Sequence, residues 1–277
     1  DTFNIDAGED SIADLSTTDI LKVSSGAKVN ANNISAFVAT SGTENLGIAN
    51  LYAGSGNATI DMRLSSEGAY NIFSGSGTDT LKGSKKNDTF TIVNAGEGNN
   101  DSIDGHTGDD ILQLSSGIHT ISNDGKLSGI ETIKAHKAGS VTDFSNQTEN
   151  LIFIGNDGND TLKGGSGNDQ LTGGSGANTF DITGGTDTIT DLKTTDIIIV
   201  ATGATVNASD ISAFVATTNT KNLASASNVN LTVKSGGSIS MANATGTGGY
   251  NLIGSSAADT LTGSGNDDTF TVSTSAL

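Results

Sequence analysis

The chain has 277 residues, a formal charge of −18, 34% hydrophobic residues, and neither cysteine nor proline. This length fits one large domain or two to three small ones, and the absence of cysteine excludes a disulfide framework and zinc–thiolate sites. No apolar run approaches the ~18 residues of a membrane span, and 31 acidic against 13 basic residues argue against a nucleic-acid surface.

A soluble chain without a transmembrane segment is therefore expected. Its opening residues show no basic n-region and no apolar h-region, so no N-terminal signal peptide is expected. The acids are mostly aspartates set in glycine turns, which points to cations as the partner.

In chain order, the first recurring element is an aspartate followed two residues later by an apolar residue. Asp1/Phe3, Asp10/Ile12 and Asp19/Leu21 repeat it at intervals of nine. The stretch STTDILKVSSGAKVNANNISAFVAT (Ser16–Thr40) returns without a gap as KTTDIIIVATGATVNASDISAFVAT (Lys193–Thr217). Within both, ISAFVAT predicts a short helix or strand covering the core, with Ser209 or Asp210 available as N-cap in the later copy. Next come Asp79/Leu81 with Asp88/Phe90, then, after a four-residue slip, Asp101/Ile103 with Asp110/Leu112. The middle of the chain has its own interior, GKLSGIETIKAHKAGSVTDFSNQTENLIFIG.

The densest stretch is GNDGNDTLKGGSGNDQLTGGSGANTF (Gly155–Phe180). Its turn-forming composition suits a disordered linker. Yet Leu162, Leu171 and Phe180 recur every nine residues, each two places after Asp160, Asp169 or Asn178, and Asp187/Ile189 and Asp196/Ile198 hold the same phase. A linker has no reason to keep that phase. Asp259/Leu261 and Asp268/Phe270 close the series, while Ile72, Phe153 and Leu252 hold the apolar place without an aspartate and read as cap rungs. A longer period overlies the first. Asp/Asn-Thr-Phe begins at Asp1, Asp88, Asn178 and Asp268, at spacings of 87, 90 and 90. It divides the chain into repeats 1–87, 88–177 and 178–277, the mark of a repeat architecture.

GGSGNDQLT (Gly164–Thr172) shows the physics of one unit. Six turn formers are followed by a three-residue strand whose middle side chain points one way. Two units make an 18-residue coil, and stacked coils place every Leu, Ile or Phe in one thin core with strands about 4.8 Å apart. Aspartates 18 residues apart then stack: Asp169 with Asp187, Asp160 with Asn178, Asn178 with Asp196, and Asp1 with Asp19. Two carboxylates about 5 Å apart repel by roughly 3 kcal/mol at an effective dielectric of 20. A hard cation held by them and by turn carbonyls removes that repulsion, and a flexible oxygen cage suits calcium better than magnesium. His106, His119 and His136 lie outside any zinc-ligand spacing.

GGSGNDQLT matches the G-G-x-G-x-D-x-U-x calcium-binding repeat of RTX (repeats-in-toxin) proteins at every position, and GNDGNDTLK misses only the second glycine. NTFDITGGTDTITDLKTTD is similar to the segment that closes RTX arrays in many secreted bacterial proteins. LSGIET after DILQLSSG resembles repeats of RTX-type S-layer and giant surface proteins. The resemblance implies Ca2+ as the cofactor, ligated by the sixth-place Asp and by carbonyls of the preceding turn. Residue by residue these are Asp160, Asp169, Asp187 and Asp196 with Gly155, Asp157, Gly164 and Ser166. Asn178 stands where the third unit departs from a carboxylate. By the same rule Asp79, Asp88, Asp101, Asp110, Asp259 and Asp268 follow, as do Asp1, Asp10 and Asp19. GSKKNDTFT departs from the pattern with Lys85 and Lys86 in its turn, and GSSAADTLT lacks inner glycines. The competing reading is Asx-turn aspartates bonded to their own backbone.

No Ser–His–Asp, paired-carboxylate or phosphate-loop pattern is present, so an enzyme is not expected. Threonines beside the core residues suggest a solvated strand face rather than an ice-binding ladder. The expected fold is all-β and elongated: calcium-binding parallel β-roll segments alternating with β-solenoid or sandwich-like repeats. The resemblance implies an extracellular, type I-secreted surface-layer segment that assembles with itself on binding calcium, with cell-surface polysaccharide as a partner through another region. The alternatives are an RTX adhesin or extender module, or the non-catalytic C-terminal part of a secreted enzyme. The tail TVSTSAL reads as the end of an export signal.

Overall fold

A nine-residue unit with one strand and one glycine turn cannot bury its apolar side chain alone, so it must stack on a neighbour. The computed structural model describes residues 1–96, 100–121, 123–224 and 228–272. It comprises two compact units, Asp1–Lys134 and Ala135–Leu277. Each is a parallel β-solenoid. Residues 273–277 of the tail read as an export signal lie outside the described residues.

In the second unit, Thr161–Lys163 pairs in parallel with Thr179–Ile182, setting Leu162 against Phe180, and Thr179–Ile182 pairs with Ile197–Val200. On the other face Ile152–Ile154, Gln170–Thr172 and Thr186–Ile189 follow one another in the same way. The coil is therefore 18 residues long through the nonapeptide run, as the spacing of nine predicts. Leu162, Leu171, Phe180, Ile189 and Ile198 are each at most 1% exposed. Burying such a side chain contributes roughly 1.5–3 kcal/mol, and one per half-coil is nearly the whole core. Phe153 and Ile72 lie in line with Leu171 and Phe90, as cap rungs should.

The first unit repeats the design with longer coils. Ala36–Val38, Thr59–Asp61, Thr80–Lys82 and Ser102–Asp104 stack on one face. Lys28–Ile34, Ile48–Ala53, Asn71–Phe73, Thr89–Ile92 and Ile111–Leu114 stack on another. LSGIET continues the solenoid: Leu127–Ser128 joins Ser102–Asp104, and Thr132–Lys134 joins Ile111–Leu114. Among the described residues there is no α-helix, only a short 3-10 turn at Asp124–Lys126, and no helix long and apolar enough to cross a membrane.

Both copies of ISAFVAT are extended, so the helical alternative and its N-cap fall away. Ala36–Val38 is a strand, and Ile211 continues the strand Thr205–Val215. Asp210 serves instead as a corner at φ 56°, matched by Asn33 at φ 56° in the earlier copy. Short polar residues tolerate this left-handed backbone, which lets a long strand bend around the coil.

Outward-facing asparagines join the longer coils. Asn71 Nδ2 donates to Asn50 Oδ1 (2.8 Å), Asn50 to Asn30 (2.8 Å), and Asn30 to Glu9 (2.7 Å). In the second unit Asn251 donates to Asn230 (2.7 Å) and Asn230 to Asn207 (2.8 Å).

Candidate metal centre

The aspartate two places before each core residue ends a glycine turn and is drawn inside the coil edge. Asp79, Asp88, Asp101, Asp110, Asp160, Asp169, Asp187 and Asp196 are all buried, as is Asn178. Each of the stacked ones offers Oδ1 to the backbone of the coil before it. Asp187 accepts from Asp169 N–H (2.8 Å), Asn178 from Asp160 N–H (3.0 Å), and Asp196 from Asn178 N–H (3.0 Å). In the first unit Asp101 accepts from Asp79 N–H (2.7 Å) and Asp110 from Asp88 N–H (2.6 Å). The lowest rungs bond a residue without a carboxylate, Asp169 to Leu151 N–H (2.8 Å) and Asp160 to Ser140 N–H (2.6 Å).

The second oxygen turns back over its own turn. Asp169 Oδ2 accepts from Gly165 N–H (3.2 Å), and Asp79 Oδ2 from Gly75 N–H (2.9 Å). This is the local Asx-type bond that the competing reading requires, but that reading leaves the inter-coil Oδ1 bonds unexplained. At Asp110, Asp160 and Asp187 the second oxygen is buried with no hydrogen-bond partner.

The first glycine of the unit follows from this arrangement. A Cβ on Gly164 would lie 2.0 Å from Asp169 Oδ2, and one on Gly155 would lie 2.9 Å from Asp160 Oδ2. The carboxylate fills the space a side chain would need. The inner glycines are set by carbonyls instead: Asn156 O and Gly158 O point along the stack at Gly174 and Gly176, each 1.8 Å from where a Cβ would sit. Each turn thus carries a buried carboxylate edge and carbonyls aimed along the stack.

Electrostatics follow from burial. Loss of water pushes the carboxyls of Asp187 and Asp110 up to about 7 and those of Asp160 and Asp88 up to about 6, against the pull of the N–H groups they accept from. Burial raises Asp169 and Asp196 as well. A buried anionic oxygen with no donor is costly and needs a proton or a cation. Among the described residues no group of three or more His, Cys, Asp or Glu is assembled. A cation here would take carboxylate oxygens from stacked turns and complete its shell with carbonyls, an all-oxygen donor set that fits calcium.

The structure stacks Asp169 with Asp187, Asp160 with Asn178 and Asp196, Asp79 with Asp101, and Asp88 with Asp110. Asp1 also meets Asp19, its nitrogen 2.7 Å from Asp19 Oδ1. Asp10 is exposed and lies beside Val29 rather than a carboxylate. Asp157 and Ser166 have exposed side chains, which leaves their turns' carbonyls as the groups of interest. Asp259 and Asp268 are held by serines of their own turns, Ser255 and Ser264, and accept from Gly237 N–H and Tyr250 N–H.

Two acids escaped the sequence reading. Glu131 Oε2 accepts from Asp110 N–H (2.7 Å), extending that column. The signal was present, since Glu131 stands two places before Ile133. Asp191 accepts from Gly173 N–H (2.7 Å) and Gly174 N–H (2.8 Å), 18 and 17 residues back.

Stacked acidic glycine turns closing a thin parallel β-solenoid define a cation-binding class of repeat protein. Residues 73–91, 93–118, 154–189 and 246–273 match the RTX calcium-binding nonapeptide repeat. The chain carries the calcium-binding repeats of the RTX family, in four copies. No curated protein sequence and no solved structure matched the chain. Asp79 with Asp101, Asp88 with Asp110, Asp160 with Asn178 and Asp169 with Asp187 all lie in these segments, whereas Asp1, Asp19, Glu131 and Asp196 lie outside them.

Proposed function

We propose that this chain is a secreted, non-catalytic structural module that holds calcium between its coils and is part of a bacterial surface layer assembling when calcium is present. The observation that carries the calcium part is the buried, unpartnered Oδ2 of Asp110, Asp160 and Asp187. Asp160, Asp169 and Asp187 are the principal ligands in this reading, with carbonyls of Gly155, Asp157, Gly164 and Ser166. Extracellular calcium modules bind at roughly 10⁻⁴ to 10⁻³ M. At about 1 mM calcium and a dissociation constant near 10⁻⁴ M, each site adds roughly 1.4 kcal/mol. Three sites contribute on the order of 4 kcal/mol, a large share of a domain's usual 5–15.

The surface-layer part is supported by the long repeat and by the way LSGIET extends the solenoid. An adhesin spacer or the repeat region of a secreted enzyme is the second reading, on the same solenoid. Circular dichroism during calcium titration tests the binding, with strand signal expected to appear cooperatively. An identical spectrum in excess chelator defeats it. Electron microscopy with and without millimolar calcium tests assembly: ordered sheets support the surface layer, and persistent monomers favour the spacer.

A further inference from the structure

The column Gly155–Asp160, Gly173–Asn178, Asp191–Asp196 does not treat its two gaps alike. In the lower gap, Asp160 presents a buried oxygen with no partner, and Asn156 O accepts from the backbone N–H of Ser175 (2.8 Å). In the upper gap the atom equivalent to that oxygen is Asn178 Nδ2. Asn178 Oδ1 is fixed by Asp160 N–H, so the fully buried Nδ2 faces the turn as a donor with no acceptor. An amide N–H cannot ligate a cation.

The carbonyls of that turn are claimed by side chains instead. Lys193 N–H turns to Asp196 Oδ2 (2.8 Å), leaving Gly174 O to the Lys193 ammonium, which also reaches Asp191 Oδ2 (3.1 Å). Thr195 Oγ1 donates to Gly176 O (3.0 Å), and Asp191 takes the amides of Gly173 and Gly174. The gapless earlier copy has Ser16 at the place of Lys193. Its hydroxyl and N–H serve Asp19 Oδ2 and supply no cation.

We infer that Lys193 is a tethered substitute for calcium: its ammonium closes the Gly173–Asn178 turn, so the ion column ends there. This rests on the calcium reading above. Asn178 and Lys193 act together, one withdrawing the anionic ligand and the other supplying the positive charge.

The test counts calcium ions per chain by equilibrium dialysis at saturating calcium, with circular dichroism confirming the fold. Asn178→Asp alone is expected to keep the parent's count, because its new carboxylate meets the ammonium. Asn178→Asp with Lys193→Gln is expected to bind one ion more. Asn178→Asp with Lys193→Met is the second double variant, should the first fail to fold. An extra ion in Asn178→Asp alone overturns the inference, and so does an unchanged count in the folded double variants. A parent that binds no calcium sinks the calcium reading, and the gain of an ion in the double variant then still decides the role of Lys193.

Discussion

Two regions of the second unit stack their coils through side chains of nearly the same shape, with opposite consequences. From Thr205 to Ile253 the rungs are asparagines, and between Gly155 and Ile198 they are mostly aspartates. An amide both donates and accepts, so Asn251, Asn230 and Asn207 link coils without leaving charge behind. A carboxylate only accepts. Asp187 takes the N–H of Asp169 and still leaves one buried oxygen without a partner. One ladder is complete in itself, and the other leaves an oxygen that needs a proton or a cation.

Calcium removal is expected to separate the regions most. In chelator, amide exchange across Gly155–Ile198 should become fast while Thr205–Ile253 stays protected, a difference on the order of the 3 kcal/mol that the two sites of this region supply. Equal protection in both would erase the distinction. Gly164→Ala comes next, because its Cβ would lie 2.0 Å from Asp169 Oδ2. A loss of roughly 1–3 kcal/mol is expected in thermal melts at 1 mM calcium.

Asp187→Asn converts one rung type into the other and should change sign with conditions. It is expected to cost about one site's 1.4 kcal/mol of stability in calcium, read as a lower melting temperature, yet to leave that temperature equal or higher in chelator near pH 8. Asn230→Ala breaks two amide bonds and should cost about 1–3 kcal/mol equally with and without calcium.

The smallest effect is on pH. The folded carboxyl of Asp187 sits at about 7, above the ordinary value of 3.8. The folded, calcium-free chain therefore holds this proton where the unfolded chain has lost it. Its contribution to stability is full below about 4 and is lost as pH rises through 7. Calcium competes with that proton, so the midpoint of calcium titration should move to higher calcium as pH falls from 8 to 6.

The nonapeptide region was legible because its coil length is constant. With 18 residues per coil, a residue's partner lies at a fixed offset, so Leu162, Leu171 and Phe180 were readable as core and Asp169 with Asp187 as neighbours. Elsewhere the offset drifts: Asn50 meets Asn30 at 20 residues, and Asn230 meets Asn207 at 23. No single period exposes that ladder. Asp10 illustrates the converse, since it keeps phase in the sequence while Glu9 pairs with Lys28 and so sets Asp10 beside Val29. ISAFVAT was ambiguous because a short apolar run suits a strand or a buried helix equally. Lys193 was missed because its role depends on a carbonyl one coil away and on Asn178.

The parallel register also shapes how the chain folds. Within each unit a coil touches the coils before and after it, so contacting residues are separated by under about a tenth of the chain's length. Loop closure is brief at every step, and ordering spreads from coil to coil along one dimension rather than by a single global collapse. On the proposed calcium reading, growth through Gly155–Asn178 waits for an ion at each step, whereas the coil bearing Lys193 brings its own positive charge. That coil is the expected seed: order should start near Lys193 and travel back toward Gly155 at a speed set by free calcium.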